Sequence, residues 1–281
     1  MITFDLMKNE GSNKSLSLEI LIATMNRDSL DFLDDMFPHH SLDQLNLLIV
    51  NQTTPEIHLT SSRDNIRVIN SLEKGLSKSR NLALIHAKGD VVLFADDDLS
   101  YVKDFKTIVL ESYKNNPKTA FVTFKHKTFK GEFIKTYPTH NRKHTLTTIE
   151  SISSREISCR LDRIKKQDLL FNEYFGLGST FETGEEYLFV CNLVQKGYQG
   201  YFCNKVIVLH PAHSSGMEMG SDRVVYGKSA LKYLRYKDWT YFWILKYVFF
   251  LVRNKYIKVN EFRPKLTIGM KGIKDVKNIT S

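Results

Sequence analysis

Apolar residues in this chain fall into short continuous runs rather than long stripes. "LEILIAT" (18–24), "LNLLIVNQ" (45–52), "NIRVINS" (65–71) and "VVLFA" (91–95) have strand length and strand composition, and each predicts a buried strand. Between the third and fourth lies "GLSKSRNLALIHA" (75–87), with apolar residues at Leu76, Leu82, Ala83 and Ile85, which predicts a helix. "MNRDSLDFLDDMF" (25–37) also has helical character. Strands alternating with helices at these spacings predict an α/β domain with a mainly parallel sheet.

Further along, 101–115 reads as a helix closed by Asn116-Pro117. "AFVTFKHKTF" and "GEFIKTY" read as strands paired around Lys130-Gly131. The segment 141–166 is polar and irregular and predicts loops and short elements. "TGEEYLFVCNLVQKGY" predicts a helix with a turn at Gly197, and "YFCNKVIVLH" a strand ending at His210. No internal repeat is visible.

Three aspartates, Asp96, Asp97 and Asp98, stand where the strand 91–95 emerges. In open α/β sheets, ligands bind beyond the carboxyl ends of the strands, so these charges lie in the expected place for a site. In an extended segment the first and third side chains share a face, which would let Asp96 and Asp98 share a Mg²⁺ or Mn²⁺ ion. The competing reading is a helix N-terminus, where acidic side chains are favourable. Glu185 and Glu186, behind Gly184, admit the same pair of readings.

The order "ILIATMNR", "LLIVNQ", "EKGLSKSRNLAL", "GDVVLFADDD" and "GLGSTFETGEEYLF" resembles the family 2 glycosyltransferases of the GT-A fold, over 18 to about 210. The resemblance implies a nucleotide-sugar donor, a DxD-type site for Mn²⁺ or Mg²⁺, and a catalytic carboxylate downstream. It puts Asp96 near the ribose, Asp98 on the metal and Asp97 between them. Thr24, Asn26 and Arg27 match the region that meets the nucleobase. Asn51 stands where many members carry an aspartate; an amide oxygen can accept the same hydrogen bond, and a turn-forming Asn is the other reading. Gly75, Ser77, Arg80 and Asn81 match the loop and helix start near the donor, with Arg80 pairing a phosphate or Asp96, or lying exposed on its helix. Glu186 matches the general base, with Glu185 as the alternative; here the second residue of the motif is Glu rather than Asp. The resemblance also brings His210 to the metal or the diphosphate, in preference to His213. Gly176 and Gly178 either admit an acceptor or shape a turn.

Charge divides the 281 residues unevenly. Of 40 Lys/Arg, 13 lie from Lys228 onward, against 3 of the 31 Asp/Glu, so the net charge of +9 belongs to the tail. This suggests a catalytic domain 1–227 and a basic, aromatic-rich extension 228–281. The apolar part of the extension, 239–252, is interrupted by Lys246 and falls short of the ~20 residues of a spanning helix. It predicts either an interfacial helix on an anionic membrane surface or a helix packed on the protein. The N-terminus lacks the pattern of a secretory signal, and three cysteines without metal-type spacing suit a reducing cytoplasm.

The expectation is therefore a metal-dependent, inverting glycosyltransferase. It would move a sugar, a UDP-sugar by preference, to a glycan or lipid-linked glycan in polysaccharide biosynthesis, on the inner face of the membrane and without a nucleic-acid partner. A sugar-phosphate nucleotidyltransferase is the rival enzyme, but its Gly-rich phosphate loop is missing from "IATMNRDSL". A non-catalytic membrane- or nucleic-acid-binding protein is the second rival.

Overall fold

The computed structural model describes residues 15–150, 152–211 and 219–280. His213 lies outside them. Four expected strands form with bounds within a residue or two: β1 (Leu18–Met25), β2 (Asn46–Gln52), β3 (Ile66–Ser71) and β4 (Val91–Asp96). They pair in parallel in the order β3-β2-β1-β4, and every side chain of β2 after Asn46 is buried. Helices cover both faces of a parallel sheet, which explains continuous apolar runs instead of alternation.

The sheet continues through β8 (Ile157–Arg160), β6 (Phe121–Thr128), β9 (Gly200–His210) and β5 (Ser100–Tyr101), with β7 (Arg142–Lys143) on the side of β9. Strand β8 runs antiparallel to both β4 and β6, while β6 and β9 are parallel. Among the described residues the sheet has nine strands and is mainly parallel.

Alternation along β4 separates two cores. Leu93 and Ala95 point to one side, with Leu33, Met36, Phe105 and Tyr113. Val92 and Phe94 point to the other, with Ala83 and Leu84 of α2 (Leu76–His86) and Phe189 and Val190 of α5 (Glu185–Gln195). Asp96 continues the side of Phe94, and that parity aims it at α2 and α5.

Three local expectations are corrected. The helix expected from 101 begins later, as α3 (Phe105–Asn115), because Ser100 and Tyr101 pair with Leu209 and Val208 as β5. "GEFIKTY" does not form a strand: β8 covers only Phe121–Thr123 of that edge of β6, but beyond it the His126 N–H is taken by the Tyr137 hydroxyl instead of a ladder carbonyl. Only the turn at Gly131 survives, closed by its N–H on the Thr128 carbonyl. Of 25–37, only α1 (Phe32–Met36) is helical. The irregular segment 141–166 supplies β7, β8, a 3₁₀ turn at Ser154–Glu156 and α4 (Leu161–Lys165).

The tail is helical: α6 (Asp222–Tyr236), α7 (Trp239–Arg253) and α8 (Phe262–Thr280). Helix α6 runs through the position 227/228 where the charge pattern changes. Its Ala230 packs with Phe175 and Phe181 of the preceding region, and its Val225 with Ile244 and Val248 of α7 and Ile273 of α8. All three cysteines are buried free thiols. Among the described residues no helix is long and apolar enough to cross a membrane.

Candidate active site

Strands β1, β2 and β4 end side by side, with Thr24 opposite Asn51 and Ala23 opposite Asp96 in register. The polar residues that follow these ends therefore meet in one place. Asp97 accepts from Thr24 Oγ1 at 2.5 Å and from Arg27 Nε at 2.9 Å. Asn51 is fully buried, and its amide is committed at both ends. Its Oδ1 accepts from the Arg27 N–H at 3.0 Å, while Nδ2 donates to the Arg27 carbonyl and to Asn70 Oδ1. The side chain thus holds the turn through Asn26, whose φ of 53° is left-handed. Both readings made for Asn51 concern this corner, and the geometry makes it the brace of the Thr24–Arg27 segment.

Helix α2 starts where the Gly75 N–H donates to Gln52 Oε1 at 2.7 Å. Ser77 and Asn81 are buried and face inward. Ser77 Oγ donates to the Phe175 carbonyl at 2.6 Å, and Asn81 clamps the backbone of Phe171 through both its amide ends. These residues hold the 171–178 loop against α2. At Gly176, φ is 103° and a Cβ would stand 2.9 Å from Ser77 Oγ and 3.2 Å from the Glu185 carboxyl carbon, so glycine there serves close packing beside Glu185.

Arg80 is the junction of the site. Buried on α2, it donates from Nη2 to Asp96 at 3.0 Å and from Nη1 to Glu185 at 3.1 Å, and Nη1 lies 3.9 Å from Glu186. The exposed-arginine reading is therefore excluded. One guanidinium faces three carboxylates, which it cannot neutralise alone. Burial, reinforced by the charge of Glu186 and only partly offset by Arg80, pushes the Glu185 carboxyl up to about 8. This direction favours a proton retained within the adjacent Glu185–Glu186 pair. Glu186, one residue on, faces the cleft and accepts from the Ser154 N–H at 3.3 Å. Both open α5, behind Gly184 in the left-handed region, where the helix dipole favours negative charge.

The strand ends at Asp96 and turns at Asp97, so Asp96 and Asp98 do not share a face as an extended run would require. Asp96 is spent on Arg80 and, at 3.4 Å, Ser154 Oγ. Asp98 turns the other way, and its Oδ2 lies 3.4 Å from His210 Nε2. His210 holds the Asp98 carboxyl below the ordinary aspartate range, against the opposing effect of burial. His210 Nδ1 lies 2.5 Å from the Pro211 carbonyl, which can only accept, so Nδ1 carries the ring proton. Nε2 faces the Asp98 carboxylate, to which it can donate a hydrogen bond; in the tautomer with the proton on Nδ1 alone, the same pair of atoms can share a cation. Among the described residues no three His, Cys, Asp or Glu side chains gather as a metal group. A divalent ion that takes one or two protein ligands and phosphate oxygens fits Asp98 and His210; it does not fit Asp96 as a joint ligand.

A cleft of about 390 Å³ is bordered by Arg80, Asp96, Glu185 and Glu186 on one side and by Lys135, Ser154 and Arg155 on the other. Sequence reasoning missed the second wall. Arg155 Nη1 is buried without a hydrogen-bond partner, and buried His126 gives Nδ1 to Glu156 at 2.6 Å while its Nε2 is unpaired. One sequence signal could have found this wall: Ser153-x-x-Glu156 is a capping box, which marks an ordered turn inside a segment that otherwise looks like loop.

Residues 51–175 match the sequence model described as "Glycosyl transferase family 2". That span holds the aspartates and Arg80 and stops before Glu185. No curated protein matches the chain significantly. Among solved structures, S. aureus TarS 1–349 superposes with a TM-score of 0.57 at 16% identity, covering 93% of this chain and 81% of that one. Its complex with UDP-GlcNAc gives 0.58 at 16%, with 93% and 80% covered. The complex with UDP gives 0.54 at 16%, with 93% and 89% covered. The superposition shows the GT-A fold, and the match to the family 2 glycosyltransferase model runs across the aspartates and Arg80.

Proposed function

We propose that the protein transfers a sugar from a nucleoside diphosphate, a UDP-sugar by preference, to a hydroxyl of a glycan or lipid-linked glycan, with inversion, in polysaccharide assembly. One observation carries this reading. Arg80 ties the acid that ends β4 to the acids that open α5, so the donor side and the base side share one cleft. The TarS complexes with UDP-GlcNAc and UDP support a uridine donor here.

In this reading Thr24, Asn26 and Arg27 receive the base, with Asn51 bracing them from behind, and Asp96 and Asp97 lie toward the ribose. Asp98 and His210 would hold Mn²⁺ or Mg²⁺. When bound, such an ion offsets negative charge on the departing diphosphate. Gly75, Ser77, Arg80 and Asn81 act as positioning residues. Arg80 keeps Asp96 and Glu185 in place, and Glu185, protonated, can donate to Glu186 and leave it as the proton acceptor. The acceptor hydroxyl gives its proton to a Glu186 oxygen while its oxygen bonds to the anomeric carbon. The bond from that carbon to the diphosphate oxygen breaks, and the electron pair leaves with the nucleotide.

Helix α7 supports docking on an anionic membrane surface. Trp239, Phe242, Leu245 and Phe249 form an outward stripe, while Ile244, Tyr247, Val248 and Leu251 pack inward. Lys246 and Arg253 flank that stripe, which suits a helix lying at headgroup level. The free buried thiols fit a reducing, cytoplasmic setting.

A thermal-shift series of nucleoside diphosphates, each with and without Mn²⁺, tests the reading. UDP is expected to raise the melting temperature most, and only UDP with Mn²⁺ by the full amount. No stabilisation by any nucleoside diphosphate would refute it.

A further inference from the structure

A second cavity, of about 330 Å³, lies behind Glu186. Ile152, Thr183, Gly184 and Glu186 border both it and the first cleft. Its far wall comes from the tail: Lys228, Lys232 and Arg235 of α6, and Trp243 and Tyr247 of α7. The two rings stack, with centroids 4.8 Å apart and planes within 14°. Helical spacing puts Lys228 and Lys232 one turn apart on the same face. Lys228 lies 5.5 Å over the Tyr247 ring, and Lys232 lies 5.9 Å over Trp243.

Charge in this cavity is not balanced. Arg235 is paired with Glu150 and with the Tyr187 hydroxyl. Among the described residues the two lysines have no carboxylate partner, and burial together with the charge of Lys232 holds Lys228 below the usual lysine range. Two like charges kept half-buried side by side cost stability, and an anion between them would remove that cost. The aromatic platform beside them suits the apolar face of a sugar ring or an alkyl chain.

We propose that this cavity takes a phosphate-bearing acceptor. Lys228 and Lys232 hold its phosphate, Trp243 supports its sugar or alkyl portion, and the hydroxyl to be glycosylated reaches Glu186 from the side opposite the donor. The proposal rests on Glu186 being the base, and it adds what the acceptor is. Two sources share this chemistry: a glycan carried on a lipid diphosphate, and a polymer joined by phosphodiesters. Either one gives the basic tail a role inside the active site, beside the membrane-facing role of α7.

Trp239 and Trp243 are the chain's two tryptophans, and Trp239 is 79% exposed. In a Trp239→Phe background the fluorescence therefore reports on the cavity. Three probes are titrated into the full chain: an alkyl glycoside of N-acetylglucosamine, the same sugar on an alkyl diphosphate, and a phosphodiester-linked glycerol oligomer. At least one phosphate-bearing probe is expected to bind roughly tenfold tighter than the neutral glycoside, the worth of one charge-assisted hydrogen bond. The tighter of the two identifies the source. Lys228→Gln/Lys232→Gln is expected to erase the preference, with its melting temperature no lower than the parent's and its affinity for UDP with Mn²⁺ unchanged. Equal binding of neutral and anionic probes, or a preference that survives the lysine changes, overturns the proposal. Failure of UDP to bind any form would instead count against the donor reading, while lysine-dependent probe binding would uphold the anion site.

Discussion

Arg80 Nη2 lies 3.0 Å from Asp96 Oδ1, across the boundary between a helix and a strand end. Its other terminal nitrogen reaches Glu185, so one side chain fixes the spacing of two acidic centres that are far apart in sequence. Removing it would leave buried carboxylates unpaired. Arg80→Ala is expected to lower stability by about 3 kcal/mol in urea denaturation, since breaking a buried pair leaves an uncompensated charge. Arg80→Lys is expected to keep part of the stability and lose most activity, because an ammonium cannot bridge both acids as a planar fork does. Unchanged stability in the alanine variant would show that the junction does not organise the site.

The Glu185 carboxyl gives a pH dependence with a defined sign. Its folded value, about 8, stands above its ordinary value of 4.5. As pH rises, the unfolded chain loses this proton first, so the folded state binds more protons and stability falls between those two values. Glu185→Gln is expected to flatten the fall, with the variant gaining on the parent chain toward pH 8 in denaturation midpoints. A parallel pair of pH profiles would contradict the assignment.

Asp98 and His210 carry the metal expectation. Asp98→Ala is expected to reduce Mn²⁺-dependent UDP affinity by on the order of 100-fold, at or beyond the losses seen for outer-shell changes, while metal-free binding stays the same. His210→Ala is expected to produce a smaller loss of the same kind. Calorimetry with and without Mn²⁺ separates the two components, and equal affinities in Asp98→Ala and the parent would remove Asp98 from the metal site.

Much of this was legible from the sequence. The four parallel strands announced themselves because burial on both faces leaves uninterrupted apolar runs, as in "LLIV" of β2. The aspartates were placed correctly at a strand end, and Arg80 was among the named candidates. What could not be read was direction. Extended geometry was assumed through Asp98, yet the strand stops at Asp96, and that turn sends Asp96 to Arg80 and Asp98 to His210. The wall built from Ser154 and Arg155 was missed because its order comes from contacts across the cleft rather than from periodicity. The strand expected at 131–137 does not form because a side chain, the Tyr137 hydroxyl, takes the His126 N–H that a ladder would use, and a single sequence does not display that choice.

The charge pattern suggested cutting the tail after Gly227, but α6 runs through that point and packs Ala230 against Phe175 and Phe181. Surface substitutions are the cleaner test of the membrane reading. Trp239→Ser/Phe242→Ser/Phe249→Ser is expected to abolish binding to vesicles containing anionic lipid, as read by sedimentation. Stability should change by less than about 0.5 kcal/mol per site, because these side chains face outward. Retained vesicle binding would assign the stripe to another partner.

The central claim is that Glu186 takes the acceptor proton while Glu185 stays protonated beside it. The most direct measurement is single-turnover sugar transfer by Glu186→Gln, alongside calorimetric binding of UDP with Mn²⁺. The amide is nearly isosteric and cannot accept the proton, so nucleotide affinity is expected to match the parent while transfer falls by on the order of 10³-fold, within the range supplied by general bases. Full transfer by Glu186→Gln, with Glu185→Gln inactive, would exchange the two roles and contradict the account.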